Sequence, residues 1–359
     1  MINHQLYIKR CLQIAKNGIG TSRPNPSVGA VIVYENKIIG EGFTSPYGGN
    51  HAEVNAINSV NNKALLKEAT IYVTLEPCSH FGKTPPCADL IVKHQLKKVV
   101  IGCVDSNSLV AGKGVERLIN AGCNVIVGVL EAECRAHHKR FFCVQDKKRP
   151  FIILKWAETK DGFIAPVYPE LVSETKNNET LKPVQGKPIW ITNTYSQQLV
   201  HKWRSEEHAI LVGTNTAIVD NPKLNVRTWS GNNPIRIVLD KRLRISENAS
   251  VFDKSVKTIV ITEVEKRGSE NLLFKQIDFS KKIGSQVCQV MQNQNIQSVI
   301  IEGGTQTLQT FIDENLWDEA RVFTGDVAFG KGVKSPSFKR QSSHEINIKN
   351  DVLKIYKND

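Results

Sequence analysis

Every apolar run in this chain is short, and helical stretches separate the runs. VGAVIVY (28–34), ATIYVTL (69–75), KKVVIGC (97–103) and NVIVGV (124–129) are rich in β-branched side chains, as expected of strands buried in a sheet. Between them HAEVNAINSV (51–60), CADLIVKHQ (87–95) and GVERLINAG (114–122) carry helical spacing, the last closed by Gly122. Strands that alternate with helices need crossover connections, which predicts a mostly parallel sheet with helices on both faces.

The pattern restarts beyond DKKRP (146–150), a charged stretch ending in proline that reads as a linker. FIILKWA, HAILVG, PIRIVLD, KTIVIT and SVIIEGG read as strands. NTYSQQLVHKWR and TQTLQTFIDENL read as helices, with Thr305 as an N-cap, and EINIKNDVLKIYK as a hairpin. The polar stretch 166–187 reads as a loop insertion. A chain of 359 residues therefore divides into two α/β domains, 1–146 and 150–359. No apolar run approaches the roughly 20 residues of a membrane helix. The N-terminus, MINHQLYIKRCLQIAKNG, has charges through it and lacks a signal-peptide core. The expectation is a cytoplasmic protein with no membrane partner.

In that setting the eight cysteines are expected to be thiols or metal ligands rather than disulfides. Seven precede residue 144, an asymmetry that supports two unlike halves. His51, Cys78 and Cys87 supply the imidazole and thiolates that zinc prefers; His80 is a fourth candidate but sits only two residues past Cys78, and three protein ligands leave one position open, as in catalytic sites. An open position lowers the pKa of bound water to about 7. Glu53, two residues after His51 at the start of a helix, can then move a proton from that water to a leaving amine. H-x-E followed by P-C is the pattern of zinc nucleobase deaminases, but here the cysteines are separated by SHFGKTPP. The added His80, Lys83 and Thr84 suit a substrate that carries phosphate. The formal charge of +12 also suits nucleic acid, although no dense Arg–aromatic stripe of a single-strand binder is present.

RPNPSVGAVIV, HAEVNAI, EPCSHFGKTPPC and VAGKG (110–114) closely resemble the deaminase half of the bifunctional riboflavin-biosynthesis deaminase/reductase family. The resemblance implies a cytidine-deaminase-like α/β/α sandwich followed by a dihydrofolate-reductase-like α/β domain. It implies that His51, Cys78 and Cys87 hold Zn2+, that Glu53 shuttles protons, that Asn25 contacts a pyrimidine, and that His80, Lys83 and Thr84 meet its ribose phosphate. Thr44 stands where the family often has histidine, and AHHKRFF (136–142) replaces a more usual Leu-Asn-containing stretch.

Read on its own residues, the second half offers SVIIEGGTQTLQTF, a strand, two glycines and a helix start that suit a phosphate. It lacks G-x-G-x-x-G, so an ordinary Rossmann site is not supported. HAILVGTNTAIVDNPKLNVR (208–227) is a second candidate. The resemblance extends over nearly the whole chain and implies an NADPH-dependent reductase. Lys155, Ala157, Trp190, Thr216, Asp220 and the run Gly304, Thr305, Gln306, Thr307, Leu308, Gln309 and Thr310 would line the cofactor site. Arg204, Leu224, Arg227 and Glu302 would hold the substrate. Thr159-Lys160 replaces the family's Ser-Leu, Pro188 stands where a substrate-touching serine is expected, and Asn221 replaces the second aspartate of a common Asp-Asp-Pro. The expected protein is thus a riboflavin-biosynthesis enzyme, a homo-oligomer acting on a phosphorylated pyrimidine and not on nucleic acid. A nucleic-acid base deaminase, a binding protein stapled by structural zinc, and a deaminase joined to an impaired reductase remain as alternatives.

Overall fold

The structure is a computed structural model that describes residues 3–81, 85–106, 111–166 and 190–358. Lys83, Thr84, Pro188 and most of the stretch read as a loop insertion lie outside them. The chain forms two compact units, Met1–Lys148 and Arg149–Asp359. The charged stretch DKKRP spans this division. Asp146, Lys147 and Lys148 are exposed, and within the second unit Arg149 makes a two-pronged ion pair with Asp318, at 2.5 and 2.9 Å, with both side chains nearly buried.

In the first unit, helix α1 (His4–Ala15) precedes strands β1 (Gly29–Tyr34) and β2 (Lys37–Phe43). Then follow α2 (Ala52–Ser59), β3 (Thr70–Leu75), α3 (Cys87–Lys93), β4 (Lys98–Cys103), α4 (Lys113–Asn120), β5 (Asn124–Val127), α5 (Glu131–His137) and α6 (Lys139–Lys147). The sheet order is β2-β1-β3-β4-β5. It is less parallel than the alternation suggests: β3, β4 and β5 are parallel, but β1 is antiparallel to both neighbours. The short turn at Glu35-Asn36, both at positive φ, joins β1 to β2 as a hairpin without a crossover helix, and β1 also pairs antiparallel with β3.

Two glycine contacts put helices on opposite faces. A Cβ on Gly29 would fall 2.0 Å from the Cys11 carbonyl of α1, and one on Gly42 would fall 2.3 Å from the Ala56 nitrogen of α2. Gly42 pairs across the ladder with Ala30, and successive strand residues point to opposite faces. α1 therefore covers the Gly29 face and α2 the other, which produces the α/β/α layering.

The second unit contains β6 (Phe151–Glu158), β7 (Phe163–Pro166), α7 (Thr194–Glu206), β8 (Ala209–Gly213), α8 (Thr214–Asp220), β9 (Ile235–Leu239), β10 (Thr258–Thr262) and β11 (Leu272–Gln276). It continues with α9 (Ile283–Asn293), β12 (Ser298–Ile301), α10 (Thr305–Asp313), β13 (Glu319–Thr324), β14 (Gly332–Lys334), β15 (His344–Ile348) and β16 (Asp351–Lys357). Its main sheet runs β11-β10-β9-β8-β12-β6-β13-β16-β15. It is parallel from β11 to β13, and the C-terminal hairpin adds the antiparallel edge. Along β6, Ile152, Leu154 and Trp156 enter the core, so the period of two turns Lys155 and Ala157 to the other face. Among the described residues no helix is long and apolar enough to cross a membrane.

Candidate functional site

α2 begins at Ala52 with His51 as its extended N-cap. α3 begins at Cys87, and Cys78 lies three residues beyond the end of β3. This brings His51 Nδ1 to 3.6 Å from Cys78 Sγ and 3.3 Å from Cys87 Sγ. One ligand atom from each of the three residues lies within 4.8 Å of the others. Zn–N and Zn–S bonds of about 2.0 and 2.3 Å at tetrahedral angles place N and S roughly 3.5 Å apart, so the donor set fits zinc in both type and spacing. The Cys87 backbone N–H donates to Cys78 Sγ at 3.3 Å. A hydrogen bond between the thiols draws Cys78 down toward the thiolate and pushes Cys87 up.

Beside this group is a cavity of about 420 Å³ lined by His51, Glu53, Cys78, Asn25 and His80, five of the residues named from sequence. It opens outside the carboxyl ends of β2, β3 and β4, the place where α/β sheets bind ligands. Glu53 is 4% exposed. Burial, followed by the charge on Cys78, raises its carboxyl to about 7, which suits a group that accepts and returns a proton near neutrality.

Sequence reading missed several members of this wall. Asp105 and Glu76 line it, as do Tyr47 and Phe141. Asp105 sits just past the end of β4, a position that the strand-end rule could have flagged. AHHKRFF does contribute: Phe141 lines the cavity, and His137 Nε2 donates to the Ser27 carbonyl at 2.8 Å, two residues from Asn25. Its neighbour His138 is buried, and desolvation holds its ring well below the ordinary histidine value. Thr44 is buried, and its hydroxyl accepts from the Val28 N–H at 2.9 Å.

In the second unit Arg204 and Glu302 form a buried two-pronged pair, at 3.2 and 2.7 Å. Lys155 and Arg227 interact electrostatically with both. Burial opposes ionisation of Glu302, but Arg204 and Lys155 outweigh it and hold the carboxyl at about 2. Three cations thus face one carboxylate, an excess that suits an added phosphate. His201, absent from the sequence reading, lies in the same group: its Nδ1 accepts from the Arg227 N–H at 3.2 Å. Burial and the two arginines lower its ring to about 4, so it adds no further charge at neutral pH. Leu224 is 2% exposed and adopts φ 50°.

β8 and β12 are parallel neighbours, and α8 and α10 start directly beyond them. Gly213 N–H donates to the Gly303 carbonyl at 3.0 Å, and Gly303 takes φ +114°, which favours glycine. A Cβ on Gly304 would meet the Thr216 hydroxyl at 3.4 Å, and one on Gly213 the Thr307 hydroxyl at 2.5 Å. Thr216, Gly304 and Thr307 therefore converge on two adjacent helix N-termini, a fit for the phosphates of a dinucleotide.

The expected run does not present every member to a ligand. Leu308 is fully buried in the core, because a helix turns every third or fourth side chain inward. Gln309 is engaged with Asp313 and Ser337. Thr305 is not the N-cap; Gly304 is, and the Thr305 hydroxyl donates to the Lys334 carbonyl at 2.6 Å. Trp190 and Asp220 are exposed. The substituted turn is intact: the Thr159 hydroxyl donates to Asp161 and accepts from the Phe163 N–H at 3.0 Å. Asn221 adopts the left-handed conformation that asparagine tolerates, and its side chain accepts from the Ser250 N–H at 2.7 Å.

Residues 1–103 match the cytidine and deoxycytidylate deaminase zinc-binding region, and residues 150–358 match the RibD C-terminal domain. The chain is therefore a zinc-binding deaminase joined to a reductase. It is 40% identical over 332 residues to the riboflavin biosynthesis protein RibD of Aquifex aeolicus, covering 91% of this chain and 88% of that one. With the Escherichia coli RibD it shares 31% over 362 residues, covering 92% and 89%. A solved Thermotoga maritima diaminohydroxyphosphoribosylaminopyrimidine deaminase/5-amino-6-(5-phosphoribosylamino)uracil reductase superimposes with a TM-score of 0.85 at 35% identity, covering 99% and 98% of the two chains. The chain belongs to the RibD family, the bifunctional deaminase/reductases of riboflavin biosynthesis. Zinc serves its first unit and NADPH its second.

Proposed function

We propose that the first unit hydrolyses the amine of 2,5-diamino-6-ribosylamino-4(3H)-pyrimidinone 5′-phosphate, and that the second then reduces the ribose side chain of the product to ribityl. The observation that carries this reading is the buried carboxylate of Glu53 in one cavity with His51 and Cys78. His51, Cys78 and Cys87 would hold zinc, which supplies Lewis acidity to the attacking water when bound. Glu53 accepts a proton from that water and delivers it to the nitrogen that leaves as ammonia. A buried carboxyl beside the metal ligands can take the proton in the first transfer and return it in the second. Asn25 orients the pyrimidine. His80, with Lys83 and Thr84, takes the ribose phosphate.

In the second unit Arg204 and Arg227 bind the ribose phosphate as guanidinium forks. Glu302 keeps Arg204 in place, and Leu224 closes the substrate side. Thr216, Gly304 and Thr307 receive the phosphates of NADPH, which supplies the hydride to C1′ of the opened ribose. Lys155, on the face of β6 opposite Ile152, Leu154 and Trp156 and interacting with Glu302, stands between the two ligands. Ala157, Trp190 and Asp220 border the cofactor. The enzyme acts on a small molecule in the cytoplasm and as a homo-oligomer, a state that light scattering on purified protein tests. The biosynthetic family supports this reading over action on nucleic acid.

The decisive assay supplies the diaminopyrimidinone phosphate first without and then with NADPH. Ammonia is expected without NADPH, and NADPH oxidation only after that step. NADPH oxidation without ammonia release refutes the order.

A further inference from the structure

We infer that Glu76 is a positioning residue of the deaminase site, a carboxylate that ties the backbone of Asp105 and the start of α4 to the strand end that carries Cys78. This inference rests on the deaminase reading above. Glu76 is the first residue beyond β3 and is 4% exposed. Its own N–H continues the ladder by donating to the Cys103 carbonyl at 3.0 Å. One carboxylate oxygen accepts from Asp105 N–H at 3.1 Å and Gly112 N–H at 3.0 Å. The other accepts from Gly114 N–H at 2.8 Å and Val115 N–H at 3.1 Å. A carboxylate has about four acceptor sites, and all four are filled.

These partners account for a carboxylate at this position. The N-cap of α4, Gly112, makes no side-chain capping bond. Glu76 supplies that cap from a distant point in the chain, bonding the second and third helical N–H groups and placing negative charge at the positive helix end. A helix needing only a cap could carry serine or aspartate at its own N-terminus. Here the acceptor stands instead two residues before a proposed metal ligand. Glu76, Cys78 and Asp105 all face the same cavity. The approach is close enough to require glycine: a Cβ on Gly114 would fall 2.1 Å from the Pro77 carbonyl and 3.0 Å from Glu76 Oε1. One side chain thereby sets the distance between the metal-ligand segment and the opposite wall, and so the width of the substrate cleft.

The test is Glu76→Gln in the full-length, zinc-loaded enzyme. Whichever way the amide turns, its NH2 meets two N–H donors, so two of the four bonds are lost. The KM of deamination is expected to rise about tenfold, because the cleft no longer holds the substrate-facing wall in fixed register. The kcat should change less than about threefold, with zinc per chain kept and reductase turnover unchanged. Hydrogen exchange at the amides of Asp105, Gly112, Gly114 and Val115 should quicken about tenfold or more. Faster exchange with an unchanged KM overturns the inference, because the carboxylate then only braces the fold; unchanged exchange overturns it outright. Should wild type release no ammonia, the proposed function fails, and retained amide protection in the variant still refutes the role given to Glu76. If the glutamine variant does not fold, Glu76→Asp, which keeps the charge but is one methylene short, is read by the same measures.

Discussion

Replacing Glu302 by glutamine removes the carboxylate that Arg204, Lys155 and Arg227 share in the second unit, and the cost can be worked from the structure. The pair with Arg204 is 9–11% exposed on its two sides, so solvent screens it little. A carboxyl held at about 2 against its ordinary 4.5 contributes roughly 3 kcal/mol at neutral pH. Removing one partner of a buried pair costs about 3–5 kcal/mol, which agrees. The folded value is depressed, so this stability is fully present above the unfolded value and is lost as pH falls toward the folded one. The difference between wild type and Glu302→Gln should shrink from about 3 kcal/mol at pH 7 to between about 1 and 2 at pH 3. The chain offers a selective probe, since all five tryptophans lie at residue 156 or beyond. Urea unfolding followed by tryptophan fluorescence therefore reports on the second unit alone. A difference below about 1 kcal/mol at pH 7, or one that does not change down to pH 3, refutes the electrostatic account.

Other outcomes follow from the first unit and its neighbour. Glu53→Gln should retain zinc and slow ammonia release at least about a hundredfold, while NADPH oxidation on pre-deaminated substrate continues; comparable ammonia release would remove Glu53 from the proton path. Cys78→Ser should lower zinc per chain, measured by elemental analysis, to about a tenth or less, because a hydroxyl replaces one of two thiolates. Gly114→Ala places a methyl against the Pro77 carbonyl and should destabilise the first unit by about 1–3 kcal/mol, read as a lower midpoint by circular dichroism. Thr159→Ser keeps the hydroxyl that bonds Asp161 and Phe163, so the reductase rate should stay within about twofold.

Local signals were legible wherever one short segment contains both the pattern and its use. His51 and Glu53 share the first turn of α2, and Cys78 and Cys87 flank one loop, so their types and spacing announced a metal site. Strand positions were legible from apolar runs such as Val99–Cys103. Legibility failed where the partner is remote. The antiparallel setting of β1 depends on pairing with β3, roughly forty residues on, and no residue in the VGAVIVY run encodes it. β2, with its KIIGEGF pattern, has too few apolar residues to read as a strand. Leu308 looked like part of a ligand-binding run because sequence does not state which way a helix is rotated. His201 and Asp105 were missed for a similar reason: each acquires its neighbours only when separate strands and helices meet.

The chain's own residues determined that zinc chemistry was available, that two α/β units were present, and that glycines and threonines stood at helix starts suited to phosphate. Those properties follow from donor atoms, side-chain periodicity and backbone freedom, all carried by neighbouring residues. Packing alone decided that Glu53 would be dry enough to hold a proton near neutrality, that Lys155, Arg204 and Arg227 would share one carboxylate, and that Glu76 would gather amides from Asp105 to Val115. Desolvation and Coulomb forces depend on distances across the folded molecule, and those distances do not exist until the sheets have formed.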